Sequence, residues 1–515
     1  MYKRQGQDWL SAGVSVLWDA SDTVSAQFTF DYVDDSSNYE RAYDLTLSAE
    51  ESAAAGIIPE EIPDLTTCDV FGDVHPSACY SGNFAVQRAD DFETTFGDPR
   101  FPFESTMEYW STIVELNVDV TPELQLTSVT GYLSLDDKLI EPNVGARPLT
   151  FLGDDVWDVF WAERDQDYFQ FSQELRLSST FTQPVNFVAG LYYLRSQYKL
   201  DGDGPPAVPP TNLTTASPAP SVFFAGEPAA IFRSKQDLDA YAVFGEVHFD
   251  VSERLRLTGG IRLSYEEKNF FMDRWFQDAD NDEILPLFVF DDNDSWSEPT
   301  FRVSADYSLT ADTLGYASWA RGFRSGGYDG RASTLVGVRD TYDPETVDSF
   351  ELGFRSDLWG GRWRLNPTVF LSKYDDKQEE RLISFIGPGG VPEADTITAN
   401  ASEATIWGVE VETVLNLTDR LMLRGSLGYL DAEFDDFLSP NPLSGDLEDI
   451  SDTAELRRAP EWTYNVGADY RWPLARGNVT ASVQHSYSDE YFSSPVLRQR
   501  DPLERDTAPD VHRTD

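Results

Sequence analysis

Cys68 and Cys79 are the only cysteines among 515 residues, and His75 lies between them. Two thiols this close, in a polar stretch rich in Gly, Pro and Asp, can close a loop as a disulfide in an oxidising compartment. With the imidazole they can instead clip a metal ion. Two thiolates and one imidazole make an incomplete tetrahedral set, so the Cys68–Cys79 disulfide is the preferred reading. Asp278, Asp280 and Asp282 have the spacing of a calcium loop. Glu283 stands where that loop needs glycine, however, and Val289 where it needs its bidentate glutamate, so a solvated acidic loop is the better description. The four histidines, His75, His248, His485 and His512, are scattered, and no HExxH, GxSxG or P-loop occurs. With 90 acidic residues, carboxylate pairs arise from abundance alone. No catalytic constellation remains: the chain is not expected to be an enzyme, nor to hold a cofactor.

The elements that would position any site have a two-residue period. In 241–251, Tyr241, Val243, Val247, Phe249 and Val251 point one way, and Phe244, Glu246, His248 and Asp250 the other. After a tight turn at Ser252–Glu253 the scheme repeats, with Leu255, Leu257, Ile261, Leu263 and Tyr265 opposed to Arg256, Thr258, Arg262, Ser264 and Glu266. Successive strand side chains lie on opposite faces, so these are strands with one oily and one polar face. The pattern recurs over most of the chain with no helical segment to cover the oily face. Lipid is its natural cover.

The bulk numbers agree. Although 41% of the residues are hydrophobic, no run of about 18 apolar residues occurs, which excludes helical membrane spans. A net charge of −51 makes nucleic acid an improbable partner, because phosphate binding needs a basic surface. Short turns alternate with long polar connections at about 34–108, 138–167, 200–237, 269–297, 325–345, 376–403 and 434–459. All short turns therefore fall at one end of the strands and all long loops at the other, as in outer-membrane barrels. Trp18, Tyr109, Trp110, Tyr168, Trp359, Trp363, Trp407, Trp462, Tyr470 and Trp472 lie near strand ends, where amphipathic rings suit two headgroup girdles. The expected fold is all-β: a large antiparallel transmembrane barrel with about 16 strands, short periplasmic turns and long extracellular loops. A soluble propeller would instead show a shared blade motif, which is not seen.

Several segments, in order, resemble the barrel of TonB-dependent outer-membrane receptors of the ferric-siderophore type. They include LTSVTGYLSLDD (126–137), FSQELRLSS (171–179), FVAGLYYLRS (187–196), YAVFGEVHFDVSERLRLTGGIRLSYEEK (241–268) and YASWARGFRSGGY (316–328). YDPETVDSFELGFRSDLWGGRWRLNPTVF (342–370), ATIWGVEVE (404–412), LGYLDAEFDDF (427–437) and RAPEWTYNVGADYRW (458–472) follow. The residues that match the family's pattern are Pro344, Glu345, Ser349, Glu351, Gly353, Trp407, Gly408, Glu410, Pro460 and Glu461. Alternation puts Phe350, Leu352, Phe354, Trp407, Val409 and Val411 towards lipid. Glu351, Arg355, Gly408, Glu410 and Glu412 then face a lumen, where glycine leaves room for what fills it.

The resemblance implies a barrel of 22 strands around a plug, in the outer membrane of a Gram-negative bacterium. Neither the plug, a signal peptide nor closing C-terminal strands match residues 1–515, so the chain reads as a partial barrel. It also implies active uptake of a scarce large solute, foremost a ferric siderophore or other iron chelate. Energy would come from the TonB complex acting on the plug. The expected partners are outer-membrane lipid, that complex and the solute, with the receptor a monomer. The different-class alternative is a passive porin-like barrel. Candidate ligand-contact or lumen residues are Arg321, Phe323, Arg324 and Tyr328, where a strand leaves the membrane into the loop at 325–345. Arginine pairs with anionic chelate oxygens and aromatic rings stack on planar ligands; pairing of both arginines with inward acids is the competing role.

Overall fold

The computed structural model describes residues 9–36, 104–142, 149–151, 154–156, 161–200, 230–278, 283–330, 332, 334–339, 341–386, 392–440, 446–492, 507–508 and 511–514. Cys68, His75, Cys79, Asp280 and Asp282 lie outside these residues. Among those described, sixteen strands are twelve residues or longer. They are β1 (Trp9–Ser21), β2 (Val24–Asp35), β3 (Glu104–Thr121), β4 (Leu124–Pro142), β5 (Trp161–Ser179), β6 (Val185–Leu200), β7 (Ala230–Ser252) and β8 (Leu255–Asp278). Then follow β9 (Glu283–Thr310), β10 (Thr313–Arg324), β11 (Glu345–Leu358), β12 (Trp363–Ile386), β13 (Pro392–Asn416), β14 (Leu421–Pro440), β15 (Trp462–Leu474) and β16 (Gly477–Ser488). Each pairs antiparallel with its neighbour in sequence. The expected all-β meander of about 16 strands is the observed one. With Leu447–Asp449 and Val511–Thr514 it forms one 18-stranded sheet, and among the described residues that sheet is not closed.

One face of the sheet is concave. A five-residue helix, α1 (Leu335–Arg339), touches both β9 and β13, four strands apart in the meander, so the wall curves around it. The convex face is oily and uncovered. Tyr241, Val243, Val247 and Phe249 of β7 are 41–50% exposed, as are Ile261 and Leu263 of β8. A water-soluble fold would bury such residues at a gain of about 1.5–3 kcal/mol each. Here alternation presents them outward as a belt, with Glu246, His248 and Arg262 on the other side. His248 fills the inner wall: its Nδ1 lies 3.2 Å from Thr258 Oγ1 and its Nε2 3.4 Å from Glu246. Among the described residues no helix is long and apolar enough to cross a membrane; the strands are the crossing elements.

Aromatic rings edge the belt. On the loop side Tyr193, Tyr241 and Tyr265 follow one another across β6, β7 and β8. Trp110 stacks on Tyr132 at 4.9 Å, and Tyr429 lies between Trp407 and Trp462. On the turn side Trp359 meets Trp363 at 5.0 Å and Tyr470 meets Trp472 at 4.4 Å. Tyr109 and Tyr168 are corrected. Register pairs both with Leu135, on the face opposite Trp110 and Phe169, so they line the inner wall. A shift of one residue changes the face.

Several long polar connections are also shorter than the sequence indicates. Residues 269–297 are almost wholly the paired ends of β8 and β9, and 376–403 those of β12 and β13. These ends rise beyond the aromatic ring, where neither face meets lipid and the oily alternation that identifies a strand stops. The buried core lies there too, on the concave side. One cluster centres on Phe270, Met272 and Trp296 and another on Phe434 and Phe437.

Inner-wall glycines make room for neighbouring side chains of the wall, rather than for a separate filling. A Cβ on Gly408 would meet the Phe370 ring at 2.6 Å and collide with the Tyr429 carbonyl; on the oily outer face, by contrast, one on Gly259 meets nothing within 4 Å. Gly408→Ala is expected to cost about 1–3 kcal/mol and Gly259→Ala less than about 0.5 kcal/mol. Urea midpoints of the two variants in bilayers check the contrast.

Candidate functional site

The described residues of 325–344, between β10 and β11, fold onto the inner wall as a strap instead of rising from it. The sequence allows this because Gly326 and Gly327 let the chain run flat against β9 and against the strap's own returning leg at Tyr342. A Cβ on Gly326 would strike the Trp296 indole and the Tyr342 carbonyl. Gly327 and Tyr342 exchange backbone hydrogen bonds of 3.0 Å, closing the strap's neck. Thr334 caps α1, its Oγ1 accepting from Gly337 N at 3.1 Å.

Four anchors hold the strap. The Asp395 carboxylate of β13, 1% exposed, accepts from Thr334 N at 3.0 Å and Thr334 Oγ1 at 2.7 Å. Asp329 Oδ2 accepts from Thr398 N at 2.9 Å. Gln378 Nε2 donates to the carbonyls of Ser325 and Asp343, each at 3.0 Å. Lys268 Nζ donates to Gly326 O.

Under the strap lies an aromatic cluster. Tyr328 stacks on Phe270 with centroids 5.0 Å apart and planes 8° off parallel. It meets Trp296 edge-on at 6.4 Å and Phe290 at 6.0 Å. Lys268 Nζ sits 5.2 Å from the Trp296 ring and 3.9 Å from Glu266. These groups stand above Tyr265, beyond the membrane belt. Burial pushes the Lys268 ammonium below the ordinary lysine range, opposed by Glu266 and reinforced by Arg324. Burial likewise raises the Tyr328 phenol, and Asp292 and Asp294 act in the same direction, so the hydroxyl stays protonated. Tyr342 is raised by burial as well. Phe270, Tyr328 and Trp296 are 4–7% exposed, so these rings and the Lys268 ammonium hold the strap to the wall. What a large polar solute meets there is the strap itself and the exposed carboxylates of Asp292 and Asp294 beside it.

The residues singled out from sequence divide. Tyr328 is at the centre of this cluster, and Arg324 is near enough to act on Lys268. Arg321 and Phe323 do not: register puts Arg321 opposite Phe301 and Asp348 on the oily face, and Phe323 follows it there. Arg321 Nη2 donates to Thr346 Oγ1 at 3.2 Å and its Nη1 lies 3.5 Å from Asp348, which also accepts from Trp319 Nε1 at 2.9 Å. The period of β10 sends odd-numbered side chains outward, which removes both residues from the lumen.

The family-pattern residues occupy wall positions. Pro344 leads into β11. Glu345 Oε2 accepts from Gln378 N at 2.8 Å, and Ser349 Oγ is 3.1 Å from Ser372 Oγ. Glu351 accepts from the Tyr316 hydroxyl, whose ring lies over Gly353. Trp407 is in the outer ring, and Gly408 and Glu410 face inward beside Phe370 and Thr368. Pro460 precedes Glu461, whose carbonyl accepts from Leu430 N at 2.9 Å. Lys268, Phe270, Phe290 and Trp296 were missed by sequence reasoning. The available signal was Phe270 and Met272 continuing the inward parity of Lys268, apolar where that face should be polar.

Comparison with known proteins gives one family match: the family model described as TonB dependent receptor-like, beta-barrel covers residues 18–502. Among solved structures, the ferric yersiniabactin uptake receptor FyuA from Yersinia pestis superposes with a TM-score of 0.64 at 13% identity, over 98% of this chain and 62% of that one. The siderophore receptor PiuA from Acinetobacter baumannii gives 0.63 at 14% identity, over 99% and 68%. The copper transporter OprC gives 0.61 at 14%, over 99% and 63%. Identities this low establish a shared fold and nothing finer. The chain spans between six- and seven-tenths of the length of these three proteins.

Proposed function

The chain belongs to the TonB-dependent receptor β-barrel family, and from that premise we propose that it forms the wall of a receptor for energy-dependent uptake of a ferric siderophore or other iron chelate. The barrel sits in the Gram-negative outer membrane, consistent with its oily outer belt and aromatic rings. The observation that carries the reading is the strap: a polar segment held over a buried aromatic and cationic cluster at the outer mouth of the lumen, built from β8, β9 and the described residues of 325–344. A passive pore has no need of a desolvated ammonium and ring faces held in register there. FyuA is named as a ferric yersiniabactin uptake receptor, PiuA as a siderophore receptor and OprC as a copper transporter, which supports a metal-bearing solute and favours iron. The TonB complex is the proposed energy source.

Uptake of radiolabelled ferric chelates by cells that express or lack the full gene tests this. Iron accumulation is expected to require the gene and to stop when an uncoupler removes the proton gradient. Accumulation indifferent to the uncoupler would instead identify a passive pore. Trp296→Ala removes the buried ring on which Gly326 and Tyr328 rest, and by loosening the strap is expected to weaken cargo binding about ten-fold, read as a raised half-saturation concentration.

A further inference from the structure

We propose that the outer wall of β6–β9 holds one hydrocarbon chain of an outer-leaflet lipid in a fixed furrow, distinct from the fluid lipid around the rest of the belt. Two apolar depressions of about 640 Å³ each share β6, β7 and β8, one directly below the other, the upper reaching β5 and the lower β9 and β10. The upper is walled by Leu175, Leu191, Val243 and Leu263 and roofed by Tyr193, Tyr241 and Tyr265. The lower is floored by Ala189, Gly245 and Gly259, with Val303 and Trp319 on its far side. Register shows why they join. Leu191, Val243 and Leu263 form one row, and Ala189, Gly245 and Ile261 the next row down. Val247 and Gly259 continue it. The furrow deepens where two glycines and an alanine interrupt an otherwise bulky belt. Nothing of the protein fills the space: a Cβ on Gly259 would touch no atom within 4 Å.

Its length selects the occupant. From the Tyr265 row to the Gly259 row is six residues, roughly 20 Å along a strand. At the usual barrel tilt of about 45° that is a depth of roughly 14 Å, half of a hydrocarbon core about 30 Å thick. The furrow thus runs from the headgroup level to the bilayer centre and matches one chain of one leaflet. The surface is continuous with the lipid-facing belt, so the chain arrives from the surrounding leaflet. Above the tyrosines stand Arg195, Asp239 and Glu267, a rim of both signs. Selection therefore lies in the chain, not in the charge of the headgroup.

The test is native mass spectrometry of the protein released from micelles containing dimyristoyl phosphatidylcholine. One retained lipid is expected on the unaltered protein. The double variant Gly245→Leu/Gly259→Leu fills the furrow from its floor, and retention should fall about ten-fold. Ala317→Leu, on the same face outside the furrow, should keep it, and dimyristoyl phosphatidylglycerol should be retained as well as the zwitterionic lipid. Gel heat-modifiability confirms that each variant is folded; if the double variant is not, Gly259→Leu alone replaces it. Equal retention in all variants, meaning an annulus only, overturns the proposal. So does a dimer of the chain that the furrow variants abolish, which would assign the face to a second copy.

Discussion

Leu352→Arg will lower the unfolding free energy of the barrel in phosphatidylcholine bilayers by about 2–4 kcal/mol. Leu352 lies near the middle of β11 and is 57% exposed on the convex face. Its cross-strand partners are Ala317 and Val369, and Phe350 and Phe354 flank it on its own strand. Neither partner nor flanking residue carries a charge with which a guanidinium could pair. In water the same substitution at so exposed a position would be close to neutral, within about 0.5 kcal/mol. The sign and size of the effect therefore report what solvent bathes this face. Glu412→Arg is the matched control: it also introduces an arginine at an exposed strand position, on the lumen face opposite Asn366 and Ser426. Its expected cost is below about 1 kcal/mol. Equal costs for the two variants in urea titrations would mean that the convex face is not in hydrocarbon.

The same contrast explains which parts of the molecule were legible in the sequence. Between Tyr241 and Tyr265 one solvent is oil and the other water, so every second residue reports its face and the strands can be read almost residue by residue. Above Tyr265 both faces of β8 leave the oil. Asn269 to Asp278 then look like loop, although they continue a paired strand. Tyr109, Tyr168, Arg321 and Phe323 failed differently: closeness to a strand end singled them out, and there the alternation is too short to say which face a residue takes. The strap was invisible for a third reason. Its apolar contacts join Leu200, Phe270, Trp296, Tyr328 and Val338, drawn from four separated segments. Phe270 sits beside Phe271 and Met272, and Val338 beside Leu335 and Val336, in short apolar clusters without sustained alternation, and only the curvature of the sheet brings these segments together.

Asp395→Leu is expected to release the strap at a cost of about 3–5 kcal/mol. The carboxylate caps Thr334 twice, through its amide and its hydroxyl, and Thr334 in turn caps α1. Leucine leaves both donors facing a buried apolar side chain, at about 1–3 kcal/mol for each unsatisfied group. It also removes the negative charge that Arg274, pushed below its ordinary range by burial, feels from Asp395. Both donors meet the same oxygen, Oδ2, so Asp395→Asn with its carbonyl at that place keeps an acceptor for both and loses only the charge, and its cost should be half or less. Because β12 and β13 remain paired on both sides of the site, the loss should be local and not global. Hydrogen exchange distinguishes the two: the amides of Leu335–Arg339 should lose protection while those of Trp407–Glu412 keep theirs. Loss of protection in both segments would mean that Asp395 supports the wall itself. Unchanged protection in the helix would mean that Asp329, Gln378 and Lys268 suffice to hold the strap.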